Sequence, residues 1–390
     1  MRAPTDLNHL LASRRVLLCV GCGGVGKTTT CAALGLAAAQ RGKRVLCLTI
    51  DPARRLAQSL GLSELKTEAQ VIEPAVFERA GLEVSGTLTV MMLDTKGTFD
   101  GLVNALASGA EQRQGILDNV LYQYISTQLA GTQEYMAMEK LYEVRSDERY
   151  DIILLDTPPT SHALDFLDAP ERLAGAIDSP AVRWFLKAFQ RSGKLSLNLL
   201  QRSAATILRG MGRITGGGFL EQVATFITEM NDLFGGWRAR ADEVAAALRG
   251  PDVGYVLVTS PQPMSIREVL FFAERLSQQD MQADAYVVNR THRFEDGEVT
   301  EAAVSVAAEH LQLSLKPDAP SRVLRAVEQQ RRLAELDRLH LYALDEAFPA
   351  AGGVPPAMVE VPDFPGDIHS VRRLAWVAGI IAPPPAPPRP

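Results

Sequence analysis

The chain has 390 residues, 46% of them apolar and 22% charged, with a net charge of −6 and a pI near 5.7. That size allows a large core, as one α/β domain with an insertion or as two domains. The balance excludes a global positive field for nucleic acid or an anionic membrane surface. No apolar run reaches transmembrane length, and the first fifteen residues carry no secretory h-region, so the expected location is the cytoplasm.

Residues 1–14 read as a short helix or an ordered lead-in. Val16–Val20 then reads as a buried strand, and Gly21-Cys22-Gly23-Gly24-Val25-Gly26-Lys27-Thr28 follows with the spacing G-x-x-x-x-G-K-[ST]. Thr29–Gln40 is rich in Ala and Leu and reads as a helix. A strand, a glycine loop and a helix in that order place backbone N–H groups and the positive helix end around an anion. The pattern is that of a phosphate loop: Gly23, Gly24, Val25, Gly26 and Thr29 would cradle phosphate, Lys27 would reach the β- and γ-oxygens, and Thr28 would hold Mg²⁺. The alternative is a glycine-rich turn of another doubly wound fold.

All four cysteines, Cys19, Cys22, Cys31 and Cys47, lie in the first 50 residues. A disulfide scaffold would spread them along the chain, so buried structural thiols are expected. The competing reading of Cys19 and Cys22 is a redox or metal pair.

Gly42 ends the first helix, and Arg44–Ile50 reads as a second parallel strand ending at Asp51-Pro52. Asp51 either faces the nucleotide from the carboxyl edge of the sheet or caps the next helix. Leu88–Leu93 reads as a third strand. From Gly97 to about Tyr150 the pattern is helical, with Phe99, Leu102, Val103 and Leu106 on one face and Leu117, Leu121, Tyr124 and Ile125 on another. Ile152–Leu155 then leads into Asp156-Thr157-Pro158-Pro159. An acid presented at the end of a central strand downstream of a phosphate loop suits a water-bridged Mg²⁺.

Residues 161–250 offer no strand. They hold amphipathic helices, an aromatic cluster at Trp184, Phe185, Leu186 and Phe189, a Thr215–Gly218 break, and an apolar stripe from Phe219 to Phe234. The stripe is either core or a groove for a hydrophobic partner. The α/β pattern resumes with a strand at Gly254–Thr259, a helix at Ser265–Gln279 and a strand at Ala285–Asn289. Helices follow at Glu301–Leu313 and Ala319–Leu336, with a last strand expected at Leu339–Leu344. Residues 382–390 read as a Pro-rich tail. The fold class is a doubly wound, mostly parallel α/β sheet with a phosphate loop. It forms a single domain over 1–390, with helical subdomain insertions at 97–150 and 161–250.

These segments together resemble the arsenical-pump ATPase family, which includes the ATPases that target tail-anchored membrane proteins. Gly23–Thr29 resembles the deviant loop G-K-G-G-V-G-K-T-T, with Cys22 where the family has a lysine that crosses a dimer. Thr49–Ala53 is similar to switch I, with Arg54 in place of its His. Asp156–His162 is similar to switch II, and Thr259–Ser265 resembles a further family turn. Val287-Val288-Asn289-Arg290 looks like the adenine-reading stretch, and Val361–Pro365, containing Pro362, falls where the adenine pocket closes.

The resemblance implies ATP and ADP as ligands, Mg²⁺ at Thr28 and Asp156, catalytic roles for Lys27 and Asp51, and base contact by Asn289, Arg290 and Pro362. It also implies a homodimer that couples ATP to a hydrophobic client or membrane-associated partner. The alternatives are a slow nucleotide switch of the division-site type and a metalloid pump subunit. With no cysteine beyond Cys47, the pump lacks its soft ligands. Arg54 and Arg55 are the nearest substitutes for the missing loop lysine.

Overall fold

The structure is a computed structural model that describes residues 6–50, 57, 60–62, 64–120, 122–123, 126, 132–158, 233, 236–294, 297–347 and 356–384. The expectations at Asp51, Arg54, Arg55, Leu121, Tyr124, Ile125, His162, 184–189 and 215–218 lie outside these residues. So does the 219–234 stripe, apart from Leu233. The chain divides into two compact units, one of residues 1–92, 148–161 and 251–390, the other of 93–147 and 162–250.

The first unit is built on eight strands: β1 Val16–Val20, β2 Arg44–Thr49, β3 Gln70–Val71, β4 Thr87–Met92, β5 Ile152–Asp156, β6 Val253–Thr259, β7 Ala285–Thr291 and β8 Ala357–Pro362. Their order across the sheet is β3-β4-β2-β5-β1-β6-β7-β8. Every pairing is parallel except the short β3 against β4. All residues of β1, β5 and β6 are buried. That is why these segments read as unbroken apolar runs rather than alternating ones. The chain leaves β1 toward one edge, returns at β5 beside it, and then builds the other side from β6. Ligands of such sheets bind where the direction of winding switches, outside the carboxyl ends of the strands.

Among the described residues, the early helices of this unit are α1 Asn8–Ser13, α2 Lys27–Gln40 and α3 Pro74–Ala80. Helix α2 begins two residues earlier than its apolar pattern suggests. Eleven of its fourteen residues are buried, so it has no polar face and must be covered on both sides. It packs on the sheet with one side and against a C-terminal helix, Val371–Ile381, with the other. Gly35 permits this approach. A β-carbon there would lie 2.6 Å from Cys47 Sγ and 3.1 and 3.2 Å from the Leu88 and Leu154 methyls.

The second unit contains α4 Thr95–Leu106, α5 Ala110–Asp118, α6 Thr132–Arg145 and a helical run over 236–248. Phe99 is its centre, with the Tyr122 ring 5.3 Å away and the Trp237 ring 5.1 Å away, both edge-on. Asp94 caps α4 by accepting from the Gly97 N–H at 2.8 Å.

The later helices described in the first unit are α7 Pro263–Gln278, α8 Glu301–His310, α9 Ala319–Ala347 and α10 Val371–Ile381. The strand expected at Leu339–Leu344 is instead the last part of the 29-residue α9. The run Leu339-His340-Leu341-Tyr342-Ala343-Leu344 is short and mostly apolar, which reads like a strand. The buried positions, Ala334, Asp337, Leu341 and Leu344, recur at helical spacing. The last strand among the described residues is β8, whose alternate residues Ala357, Val359 and Val361 are buried on one side of the sheet.

Replacing Gly35 by Ala sets two effects against each other. Helix propensity favours Ala by about 1 kcal/mol, and overpacking a filled site costs about 1–3 kcal/mol. The contact with Cys47 lies deep in the core, so the variant is expected to have a lower urea midpoint than wild type. An unchanged or higher midpoint would show that the sheet yields there.

Candidate functional site

The carboxyl ends of the central strands bring the site together by register. Cys19 pairs with Asp156 across β1 and β5, and Thr49 pairs with Asp156 across β2 and β5. The carboxyl ends of three strands are therefore level. The Asp156 carboxylate, 3% exposed, accepts from Thr28 Oγ1 at 2.7 Å and Thr49 Oγ1 at 3.2 Å. Thr28 and Asp156 were both expected here. Thr49 was not singled out, although its place two residues before Asp51, at the end of an apolar strand, is a signal for an inward-facing strand end.

The loop between β1 and α2 depends on its glycines at two points. Gly26 has φ +101°, and a β-carbon on it would sit 2.2 Å from Asn289 Nδ2. Gly21 lies against β6, with the Val258 carbonyl oxygen 2.0 Å from where its β-carbon would be. Only glycine fits either position. Asn289, at the end of β7, donates from Nδ2 to the Val25 carbonyl at 2.8 Å and accepts from the Arg290 N–H at 3.0 Å. The residue expected to read a base thus also braces the loop. The Val25 side chain turns into the core.

Lys27 is buried, and its ammonium donates to the Cys22 carbonyl at 2.9 Å, which closes the loop on itself. Cys22 is buried too and hydrogen-bonds with Ser265 at the start of α7. Burial pushes its thiol pKa up, while Ser265 and the Lys27 ammonium act in the opposite direction. Ser265 in turn is 3.1 Å from Ser260. The Cys22 side chain therefore packs inward against the β6–α7 turn. All four cysteines are free thiols and buried.

A cavity of about 750 Å³ lies within the first unit, outside the phosphate loop. Its walls include Gly23, Gly24, Gly26, Lys27, Thr28 and Thr29 on one side, Asp156 with Thr157 and Pro158, and Asn289, Arg290 and Pro362 opposite. Gly366–His369 complete it beyond Asp363 and Phe364. That last stretch was missed from the sequence. The Pro365-Gly366 dipeptide, three residues after β8 ends at Pro362, was the available signal, since it marks a turn at the ligand-binding edge.

The donors suit a hard cation. Thr28, Thr49 and Asp156 offer oxygen only, as Mg²⁺ prefers. The loop N–H groups and Lys27 suit a polyphosphate. Among the described residues no group of three or more His, Cys, Asp or Glu is arranged to hold a metal ion.

A phosphate loop after the central strand of a parallel sheet, with a Thr–Asp oxygen pair at its mouth, defines a P-loop nucleotide hydrolase. A profile of the anion-transporting ATPase family matches residues 14–312. The chain belongs to that family and, by that membership, is an ATPase. It is 27% identical over 282 residues to the ATPase get3 of Aspergillus terreus, covering 71% of this chain and 73% of that protein. It is 27% identical over 272 residues to ATPase GET3 of Paracoccidioides lutzii, covering 69% and 71%. The match to an ATPase ASNA1 homolog of Entamoeba dispar is 29% over 182 residues, 45% of this chain and about half, 52%, of that protein.

The burial of the cysteines makes a direct prediction. A thiol reagent at neutral pH is expected to label none of the four in the native protein within minutes, and all four after unfolding in guanidinium. Rapid labelling of Cys22 in the native protein would contradict its inward packing.

Proposed function

We propose that the cavity binds ATP with Mg²⁺, and that hydrolysis drives a homodimer which captures a hydrophobic client. The observation that carries the reading is the oxygen cluster of Thr28, Thr49 and Asp156 at the mouth of the phosphate loop. Thr28 and Asp156 would hold the metal, whose contribution is to neutralise charge on the β- and γ-phosphates. Gly23, Gly24, Gly26 and Thr29 would cradle the phosphates through their N–H groups. Lys27 would leave the Cys22 carbonyl and turn to the β/γ oxygens. Asp51 would orient the attacking water. Asn289 would read the adenine edge while keeping its hold on Val25, because its amide has a second N–H and a second lone pair. Pro362 would flank the base.

The helical insertions at 97–150 and 161–250 would supply the client surface. Support comes from the apolar stripe between Phe219 and Phe234 and from the resemblance to ATPases that target tail-anchored proteins. In the described residues no helix is long and apolar enough to cross a membrane. The proposed setting is the cytoplasm.

A second reading has its own observation. Cys22 occupies the place of a cross-dimer lysine, and its neutral thiol is buried. Turnover would then be slow, and the chain would act as a nucleotide switch.

Lys27→Ala is expected to lower steady-state ATP hydrolysis by at least about 100-fold, in line with the loss of an electrostatic clamp on the transferring phosphoryl. Equal rates would sink the catalytic assignment. Asp156→Asn is expected to raise the Mg²⁺ concentration needed for half-maximal activity, and an unchanged Mg²⁺ dependence would remove Asp156 from the metal site. For the client, wild type should retain an apolar helical peptide on size exclusion with ATP and release it with ADP. Phe226→Asp and Met230→Asp, confirmed as folded by circular dichroism, should lose this capture. Undiminished capture would place the client elsewhere.

A further inference from the structure

Arg290 is set apart from its neighbours by the ladder between β7 and β8. Asn289 pairs with Val361 and Thr291 pairs with Pro362, so Arg290 is bulged out between them. Its φ is +61°, a left-handed conformation that a β-carbon disfavours. The flanking residues are held in place. Asn289 is bonded to the phosphate loop at Val25, Thr291 is buried, and Thr291 Oγ1 donates to the Val361 carbonyl at 3.3 Å. Only Arg290 is exposed among these three residues, and it lines the cavity. Its guanidinium makes no hydrogen bond or ion pair among the described residues. Bulges beside active sites commonly re-aim one side chain.

The charge of the cavity gives that side chain a task. Among the described lining residues, Lys27 and Arg290 are the formal cations, against the carboxylates Asp156, Asp363 and Asp367. His369 is 3.3 Å from Asp367. A polyphosphate entering this cavity meets more acid than base. The loop position where similar loops carry a second lysine holds the inward-facing Cys22 instead. Arg290 follows directly on the residue bonded to Val25, so it stands beside the phosphate loop, whereas Asp363 and Asp367 lie beyond β8.

We propose that the Arg290 guanidinium binds the phosphate chain of the nucleotide, supplying from within the same chain the positive charge that Cys22 cannot. This rests on the ATP-binding reading of the cavity. The planar fork of arginine suits two phosphate oxygens at once, and a strained backbone at a bulge is tolerated where it aims such a group.

The test compares adenosine, AMP, ADP and ATP binding to wild type, Arg290→Gly, Arg290→Ala and Arg290→Lys by calorimetry. Glycine adopts positive φ freely, so Arg290→Gly is expected to keep or raise the thermal midpoint. It is also expected to weaken ATP binding roughly 10- to 100-fold, the usual worth of a charged hydrogen bond. The loss should shrink from ATP to ADP to AMP and vanish for adenosine, and Arg290→Lys should recover part of it. An equal loss for all four ligands would mean that Arg290 stacks on the base, which overturns the assignment. Unchanged ATP binding in a folded Arg290→Gly protein would overturn it as well, leaving the ATP reading intact. A wild type that binds no ATP would overturn both.

Discussion

A buried carboxylate is the constraint around which this protein is arranged. Asp156 ends a strand with no exposed residue, and it is itself almost fully removed from water. Placing a charge there costs several kcal/mol unless partners compensate it. The Thr28 and Thr49 hydroxyls are two of those partners, and they come from positions 128 and 107 residues away. A divalent cation is the natural complement to such an oxygen cluster. The same feature that burdens the fold is therefore the one that defines its chemistry. Parallel pairing of β1, β2 and β5 in one register is what allows all three groups to meet.

The phosphate loop is stabilised in a similar way by elements far from it in sequence. Asn289 braces Val25, the β6 carbonyl at Val258 closes on Gly21, and the Cys22 thiol docks on the start of α7. These contacts come from β6, α7 and β7, which all follow the helical unit in the chain. The loop motif is local, but its shape is held by the second half of the sheet.

Cys22 and Arg290 belong to one electrostatic question. A loop with two lysines can compensate developing charge on a transferring phosphoryl from both sides of a dimer. This loop has one lysine and a buried thiol. The bulge at Arg290 puts a guanidinium on the wall of the same cavity. Catalytic charge can be relocated on a fold when the backbone of a neighbouring strand end can be bent toward the site, and a bulge does this at the cost of one strained residue.

Much of this was legible in the residues themselves. Gly21–Thr28, the strands Val16–Val20 and Ile152–Asp156, and the acid at position 156 follow from periods and spacings that the chain's own geometry imposes over a few residues. Tertiary structure decided the rest. Leu339–Leu344 reads like a short apolar strand, yet it is part of helix α9, because the choice depends on which neighbours bury Leu341 and Leu344. Thr49 reached Asp156 through register, Gly366–His369 reached the cavity through the edge strand β8, and Arg290 was expelled by a mismatch between two strands. The local signals at Thr49 and Pro365-Gly366 mark a strand end and a turn, but not what those residues meet, since each meeting is a relation between segments brought together only by the burial of a shared core. Sequence alone determined that the chain would offer a phosphate loop and an acid. Packing determined what that loop is held by, and which other side chains share its cavity.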